Sequence, residues 1–467
     1  MTRVSYKTTS STCPSATTSV SKYLLTHTNN HPLTQPEVVT NNKSILDKTG
    51  SFMKGISYSA FNIYNIYLRL FIIFLCLLTA AIMPAFGQQA AQPSATDSVT
   101  KAYLQLKLYH QFYSQIDAEQ RWTYFPADTV IRPGQASDLI YGIRSNLLLT
   151  GDLSATQDLA TNTLDSLLVK ALAKFQFRHG LTTDGIFGNS TLQAMNVPVS
   201  KRVEQISINM ERWRTYTGVA TQPYIFVNIP DFTLQVIEGD SVALKMKVIV
   251  GKKTSKTVLM QSEVKYIVLN PSWNVPQGIA AKEILPLLKK NPHYLTDHQM
   301  RIYSKQAGQR TEIHPDSVDW QSMTPANFHY LVEQIPGETN ALGKVKFIFP
   351  NEYDIYLHDT AQRGLFSKTV RAMSHGCVRV EKPIELAAFL LRNDAAWSAK
   401  KINEFIAKGT ESTGIRLRTP VPVSINYFTA WTDNNSQLHF RNDIYNYDIP
   451  VTKPALSSLT SKKIQAD

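Results

Sequence analysis

Ser374-His375-Gly376-Cys377-Val378-Arg379 gathers an imidazole, a thiol and a guanidinium around a glycine that lets the backbone turn tightly. Upstream, Ile355-Tyr356-Leu357-His358-Asp359 ends an apolar run on a second imidazole. That run reads as a strand delivering His358 to a sheet edge, and Val378-Arg379-Val380 reads as another short strand that begins at Cys377. Two adjacent strand ends would put imidazole and sulfur within hydrogen-bond reach. A free thiol, with a pKa near ~8.5, is mostly protonated at neutral pH, so a reactive one needs a base or cation nearby. Both kinds of group stand in this window.

Outward from that pair of strands, the hydrophobic period stays at two. Residues 224–229, 233–237, 242–250, 266–269 and 345–349 alternate as strands, with Gly239-Asp240 as the turn of a hairpin. The segment from about 276 to 335 interrupts them with a helical and irregular pattern. Pro383 stands at a first helical position ahead of Ile384, Ala387, Ala388 and Leu391, a helix expected to buttress the Cys377 strand. Past Ile425, the aromatic residues Tyr427, Trp431, Tyr445 and Tyr447 predict a last hairpin on the domain, followed from Thr452 by a polar tail.

Before residue 221 the period is helical. A first helix is expected from about Val99 through Leu104, Leu106, Tyr109 and Tyr113. A second carries Leu164, Leu167, Leu168, Ala171, Leu172 and Phe175 and is capped by Gly180. Asp184-Gly185 makes a turn, and Asn189 or Ser190 caps a short helix that Pro198 ends. Val203, Ile206, Met210 and Trp213 form a further apolar stripe, read as core.

Residues 1–52 are rich in Ser, Thr and Asn and predict an unstructured extension, with Met53 as a candidate true start. From Met53 a basic start, an uncharged apolar run at 70–86 and Gly87-Gln88 read as a secretory signal or an N-terminal anchor over 53–87. Of the three cysteines, Cys13 and Cys76 fall in or before that segment, which would leave Cys377 alone in an exported chain with no internal disulfide to join. A formal charge of +12 suits a polyanionic neighbour, whether nucleic acid, membrane surface or cell wall, and equally a merely basic soluble protein. No basic-aromatic stripe favours nucleic acid.

The run from Asn340-Ala341-Leu342-Gly343, through Lys346-Phe347, Phe349-Pro350-Asn351 and Tyr356-Leu357-His358-Asp359-Thr360, to Ser374 through Arg379 closely resembles the L,D-transpeptidases that cross-link peptidoglycan. Within that family it is most similar to the large periplasmic branch, whose catalytic domain carries a capping subdomain; Trp273-Asn274-Val275-Pro276, Glu283-Ile284-Leu285-Pro286 and Val318-Asp319-Trp320 look like that cap. Ala173-Lys174-Phe175-Gln176 with Gly180-Leu181, Asp184-Gly185, Gly188 and Thr191-Leu192 resembles the small three-helix peptidoglycan-binding domain of wall enzymes, although spacing alone says only helix, turn, helix. The resemblance implies an α+β chain: a mostly β catalytic domain over 221–425 with a capping insertion at about 276–335. A helical scaffold over 98–215 would precede it, with the peptidoglycan-binding-like domain at about 145–197, and a hairpin and tail over 426–467 would follow.

It also implies roles. Cys377 would be the nucleophile and His358 the general base and acid, oriented by the backbone carbonyl of Asp359. Backbone N–H groups at Gly376 and Cys377, with the Tyr356 hydroxyl, would form the oxyanion site. Arg379 would lower the thiol pKa or hold a substrate carboxylate, unless it serves a structural ion pair. Ser374, His375, Asn340, Gly343 and Trp273 would line or build the substrate cleft. The implied reaction is acyl transfer from tetrapeptide stems with release of D-alanine, giving links between third residues, with peptidoglycan stem peptides and glycan as partners and a periplasmic or cell-envelope location. The family's thiol is acylated by carbapenems. Neither a cofactor nor nucleic acid is implied, membrane enters only through the signal or anchor segment, and the oligomeric state is left open.

Rival readings stand beside this one. An L,D-carboxypeptidase would use water in place of the acceptor amine, and a wall-anchoring protein would use no chemistry at all. A papain-like hydrolase places its Cys before its His, the reverse of His358 and Cys377. A zinc site from His358, His375 and Cys377 lacks a fourth ligand at a usual spacing.

Overall fold

Inward-facing Val, Ile, Leu and Phe alternate with polar side chains from Tyr224 onward, and that alternation fixes which face of each strand is buried. The computed structural model describes residues 95–154, 161–219, 223–306, 308–409 and 411–449. These lie within one compact unit, Gln89–Asp467. The expected extension at 1–52, the signal or anchor segment at 53–87 and the polar tail lie outside the described residues.

Strands β1 (Tyr224–Asn228), β2 (Thr233–Glu238) and β3 (Ser241–Gly251) form an antiparallel meander whose second turn holds Gly239 at φ 61°. After β4 (Met260–Leu269) the chain leaves for the insertion through β5 (Trp273–Asn274). The insertion opens with the helical turns Gln277–Ile279, Ala280–Ile284, Leu285–Lys290 and Tyr294–Asp297. It then forms strands β6 (Met300–Gln306), β7 (Gln309–Ile313) and β8 (Leu331–Gln334). The expected helical and irregular insertion is thus half sheet, a four-stranded β5-β8-β6-β7 layer over a core of its own that includes Leu288, Leu295, Ile302 and Phe328.

The chain returns through β9 (Val345–Ile348), β10 (Leu357–His358), β11 (Ala372–Ser374) and β12 (Val378–Val380). After the helices Pro383–Leu390 and Ala399–Lys408 it adds a long strand, β13 (Thr413–Asn426). The main sheet runs β11-β3-β12-β10-β9-β4-β13-β1-β2, and an extra β2–β3 pairing closes it on itself. Its fully buried interior includes Val227, Val248, Ile267, Phe347, Leu357 and Val380, with Leu386 and Ile402 of the two helices in the same cluster. Closure leaves few free strand edges and gives the β10–β12 pair a fixed frame.

The N-terminal half is helical: α1 (Ala95–Ala118), α2 (Leu139–Leu149), α3 (Ser166–Arg178), α4 (Asn189–Met195) and α5 (Val199–Thr215). Asp165 caps α3 by accepting from the N–H groups of Leu167 and Leu168, and Gly180 at φ 67° follows its end. Gly188, not Asn189 or Ser190, is the N-cap of α4, and Pro198 precedes α5. The core of the small domain reaches back past residue 145 to Phe125, Ile131 and Ile140. The last hairpin, β14 (Ala430–Thr432) with β15 (Leu438–Phe440), shares its core with α1 and α5 through Leu106, Ile116, Val199 and Ile206, while Tyr427 and Tyr445 pack into the main sheet. The architecture is a helical region joined to a mostly β domain.

Candidate active site

Parallel pairing of β10 with β12 sets Leu357 opposite Val378 and His358 opposite Arg379. The Val378 N–H donates to the Tyr356 carbonyl at 3.2 Å, which brings Cys377 level with Tyr356 at the end of the pair. Cys377 sits in the bend before β12. Ser374 shapes that bend: its hydroxyl donates to the Cys377 carbonyl at 2.6 Å and accepts from the Gly376 N–H at 3.1 Å. Gly376 takes φ 126°, a conformation that a side chain would strain. From beneath, the Thr257 hydroxyl donates to the Gly376 carbonyl at 2.7 Å and accepts from the Gly251 N–H at 2.9 Å. Tyr445 completes the brace by donating to the Gly251 carbonyl at 2.6 Å.

His358 is buried, and its Nδ1 lies 2.5 Å from the Asp359 carbonyl. A carbonyl only accepts, so Nδ1 carries the proton and Nε2 keeps the free lone pair. The Asp359 carboxylate points away, taking the Lys344 N–H at 2.9 Å and Arg363 at 2.8 Å. Burial, reinforced by the Arg379 charge, pushes the His358 imidazole down to about 3. Burial pushes the Cys377 thiol up, while contacts with Tyr356 and the charges of Lys346 and Arg379 pull the other way. Both groups are neutral at rest.

The expected thiol–imidazole hydrogen bond is not formed in this arrangement. The sulfur donates instead to the Asp354 carbonyl at 3.8 Å and meets the Tyr356 hydroxyl, whose ring lies edge-on to His358 with centroids 5.5 Å apart. Catalytic hydrogen bonds of this kind often close only when substrate arrives. Trp273, at the root of the insertion, reaches the Tyr356 hydroxyl. Arg379 donates to Gln362 at 3.1 Å, and its Nε is buried without an acceptor.

Other sequence-predicted residues stand further from the sulfur's contacts. The His375 ring pairs with Glu283 of the insertion at 2.7 Å, so it ties the Cys377 bend to the cap. Asn340 does not offer its amide to a cleft: it is fully buried, donates to the carbonyls of Ile335 and Gln334, and accepts from the Leu342 N–H. Gly343, at φ 61°, makes room for Asp359, whose carboxyl atoms would lie 2.4 Å from any Cβ placed there. Among the described residues no group of three or more His, Cys, Asp or Glu side chains is placed to hold a metal ion.

Sequence reasoning missed Lys346. It faces His358 across β9 and β10, is half-buried, and holds its Nζ 3.8 Å from the centre of the Tyr356 ring. Only its place in the resembling run hinted at it. Thr257 and Tyr445 were also missed, since each acts on the bend from more than 60 residues away in sequence.

A closed β domain thus sets a histidine and a cysteine at the ends of neighbouring parallel strands, with an inserted subdomain that reaches the Cys377 bend through Glu283. Residues 222–423 match the family model described as the L,D-transpeptidase catalytic domain, and residues 149–195 match "Putative peptidoglycan binding domain". Over those residues the chain is similar to the L,D-transpeptidase catalytic domain and to the peptidoglycan-binding type of domain. A Haemophilus influenzae protein named "Putative L,D-transpeptidase" is 36% identical over 295 residues, which cover 62% of this chain and 58% of that relative's length. Among solved structures, an L,D-transpeptidase from Stackebrandtia nassauensis matches at 11% identity and a TM-score of 0.25, covering 65% of this chain and 97% of that one. One from Mycobacterium smegmatis matches at 11% identity and a TM-score of 0.20, covering 44% and 58%.

Proposed function

We propose that this protein is a peptidoglycan L,D-transpeptidase of the cell envelope that forms 3-3 cross-links by cysteine acyl transfer. As the Cys377 sulfur attacks the carbonyl of the third stem residue, its proton passes to Nε2 of His358, and the N–H groups of the Gly376–Cys377 bend with the Tyr356 hydroxyl receive the oxyanion. Collapse breaks the amide bond, the proton goes to the departing D-alanine nitrogen, and a thioester remains on Cys377. An amine of a neighbouring stem then attacks the thioester, loses its proton to His358, and the thiol is restored. Because both groups rest neutral, proton transfer accompanies attack and no thiolate is stored beforehand. Arg379, with one buried N–H unspent, is suited to a stem carboxylate.

One observation carries this reading: the Asp359 carbonyl fixes the His358 tautomer so that the ring's free nitrogen is the one able to accept a proton. The test is incubation with purified tetrapeptide-bearing muropeptides, read by mass spectrometry. Dimers that vanish in Cys377→Ala are expected; tripeptide monomers alone would mean a carboxypeptidase, and unchanged substrate would favour a wall-anchoring role. A carbapenem should add one adduct to the native chain and none to Cys377→Ala.

A further inference from the structure

The outer face of the β1–β2 hairpin carries a cavity of about 480 Å³ that shares no residue with the site around Cys377. Tyr224 and Phe226 point outward from β1, with Ile237 and Gln235 opposite them on β2. The end of α5 lays Trp213 and Tyr216 beside these rings: Trp213 stacks on Phe428 at 4.2 Å, and Tyr216 stands edge-on to Phe226 at 6.2 Å. The Trp213 indole N–H in this aromatic wall is buried without an acceptor, which a native structure rarely leaves without reason. The half-buried Gln235 side chain lines the same cavity.

A second groove, of about 880 Å³, shares Trp431 and Gln235 with this cavity. Lys245, Lys247 and Lys368 line that groove, which reaches Phe177 and the loop 179–183 of the peptidoglycan-binding-type domain. Its chemistry selects among occupants. A peptide added as a strand needs free main-chain edges, but both edges of β2 are already paired, to β1 and β3, and both edges of β1, to β2 and β13. A polyphosphate would meet Asp231 and Asp433 in the cavity wall. What remains is ring surface interleaved with amides. The C–H faces of pyranose rings carry partial positive charge that suits the negative face of an aromatic ring, and their hydroxyl and acetamido groups suit the Gln235 amide.

We infer that this cavity and groove seat a saccharide chain, held on the catalytic domain's outer face and led toward the small helical domain. The choice of N-acetylated amino sugars rests on the reading under Proposed function; the ring-and-amide chemistry does not. The experiment titrates the full chain with a soluble N-acetylglucosamine tetramer, which bears no stem peptide, by calorimetry and tryptophan fluorescence. It repeats the titration with Gln235→Ala and with Tyr224→Ala, and measures turnover of soluble stem peptide in all three. Saturable binding to the native chain, weakened at least tenfold in either variant with turnover unchanged, is expected. Absence of binding to the native chain, or equal binding by both variants, overturns the inference. Saccharide binding by a chain that leaves stem peptides untouched would support this site and sink the catalytic reading.

Discussion

Burial decides the charge state of Cys377 and His358, because removal from water penalises the ionised form of each group. The thiol is held up and the imidazole down, so at neutral pH neither carries charge. Alkylation of Cys377 by iodoacetamide should therefore be slower at pH 7 than that of an unstructured cysteine, and its rate should still be climbing above ~8.5. Lys346→Met removes a cation that pulls the thiol down, so it should move that climb to higher pH. A rate flat from pH 6 to 9 would indicate a preformed thiolate and contradict the neutral pair. Gly343→Ala tests the support behind His358. It forces a Cβ against the Asp359 carboxyl at a φ that disfavours side chains, and should cost ~1–3 kcal/mol, read as a lower Tm with reduced kcat. Cys377 and His358 were legible because they stand in short, chemically dense windows. Lys346 was not: on an alternating strand it reads as a solvent-facing lysine, and only the pairing of β9 with β10 brings it over Tyr356. For Asn340 the sequence left lining and building the cleft open, because an asparagine before a glycine turn looks the same whether its amide faces a cleft or a carbonyl.

The elements that sequence reading found are those whose hydrophobic period is clean, such as β1 to β3 and α3. β13 escaped it because Pro420 and Pro422 sit in the middle, and proline cannot donate to a ladder. Pro420 falls in a register shift between Arg416 and Val421, and Pro422 sits in the resumed pairing with β4, opposite Glu263. The insertion reads as helical and irregular because β7 is a polar, exposed strand and the alternation in β6 is short, with only Met300 and Ile302 facing the core. Gln334 of β8 holds that sheet to the catalytic domain: its amide donates to the carbonyls of His298 and Thr339 and accepts from the Ala341 N–H. Gln334→Ala would leave three main-chain groups unpaired, a loss of roughly 3 kcal/mol felt first in the insertion. Hydrogen exchange should accelerate across β6 and β8 while β4 and β9 keep their protection. Uniform acceleration through both sheets would show that the insertion does not open as a unit.

Across the whole molecule, buried ionisable groups join parts that the sequence keeps far apart. Arg178 of α3 is buried against Asp152, donates to the Leu438 carbonyl of β15 at 2.7 Å, and takes Arg441 on its own carbonyl. Arg441 continues to Asp231 beside β2, so the small helical domain, the last hairpin and the main sheet share one polar seam. Three imidazoles are buried in this frame or in the active site: His179 between Phe175 and Phe440, His439 beneath Trp431, and His358. Burial holds all three below their ordinary value. Below ~6.5 the unfolded chain binds protons that the folded chain refuses, so the stability contributed by these neutral rings is complete above that pH and is lost progressively as pH falls toward the folded values. For His358 that loss runs down to about 3. Carboxylates held low, such as Asp165, Asp433 and Asp443, stay ionised between pH 6.5 and 5, and Asp448, held up by burial, is an exception that works in the opposite sense. The histidines should dominate that window: Tm should fall from pH 7 to pH 5, and His179→Gln, which removes one titrating ring, should make the fall shallower. A Tm that holds steady over the same range would mean that these rings accept protons without the fold opening.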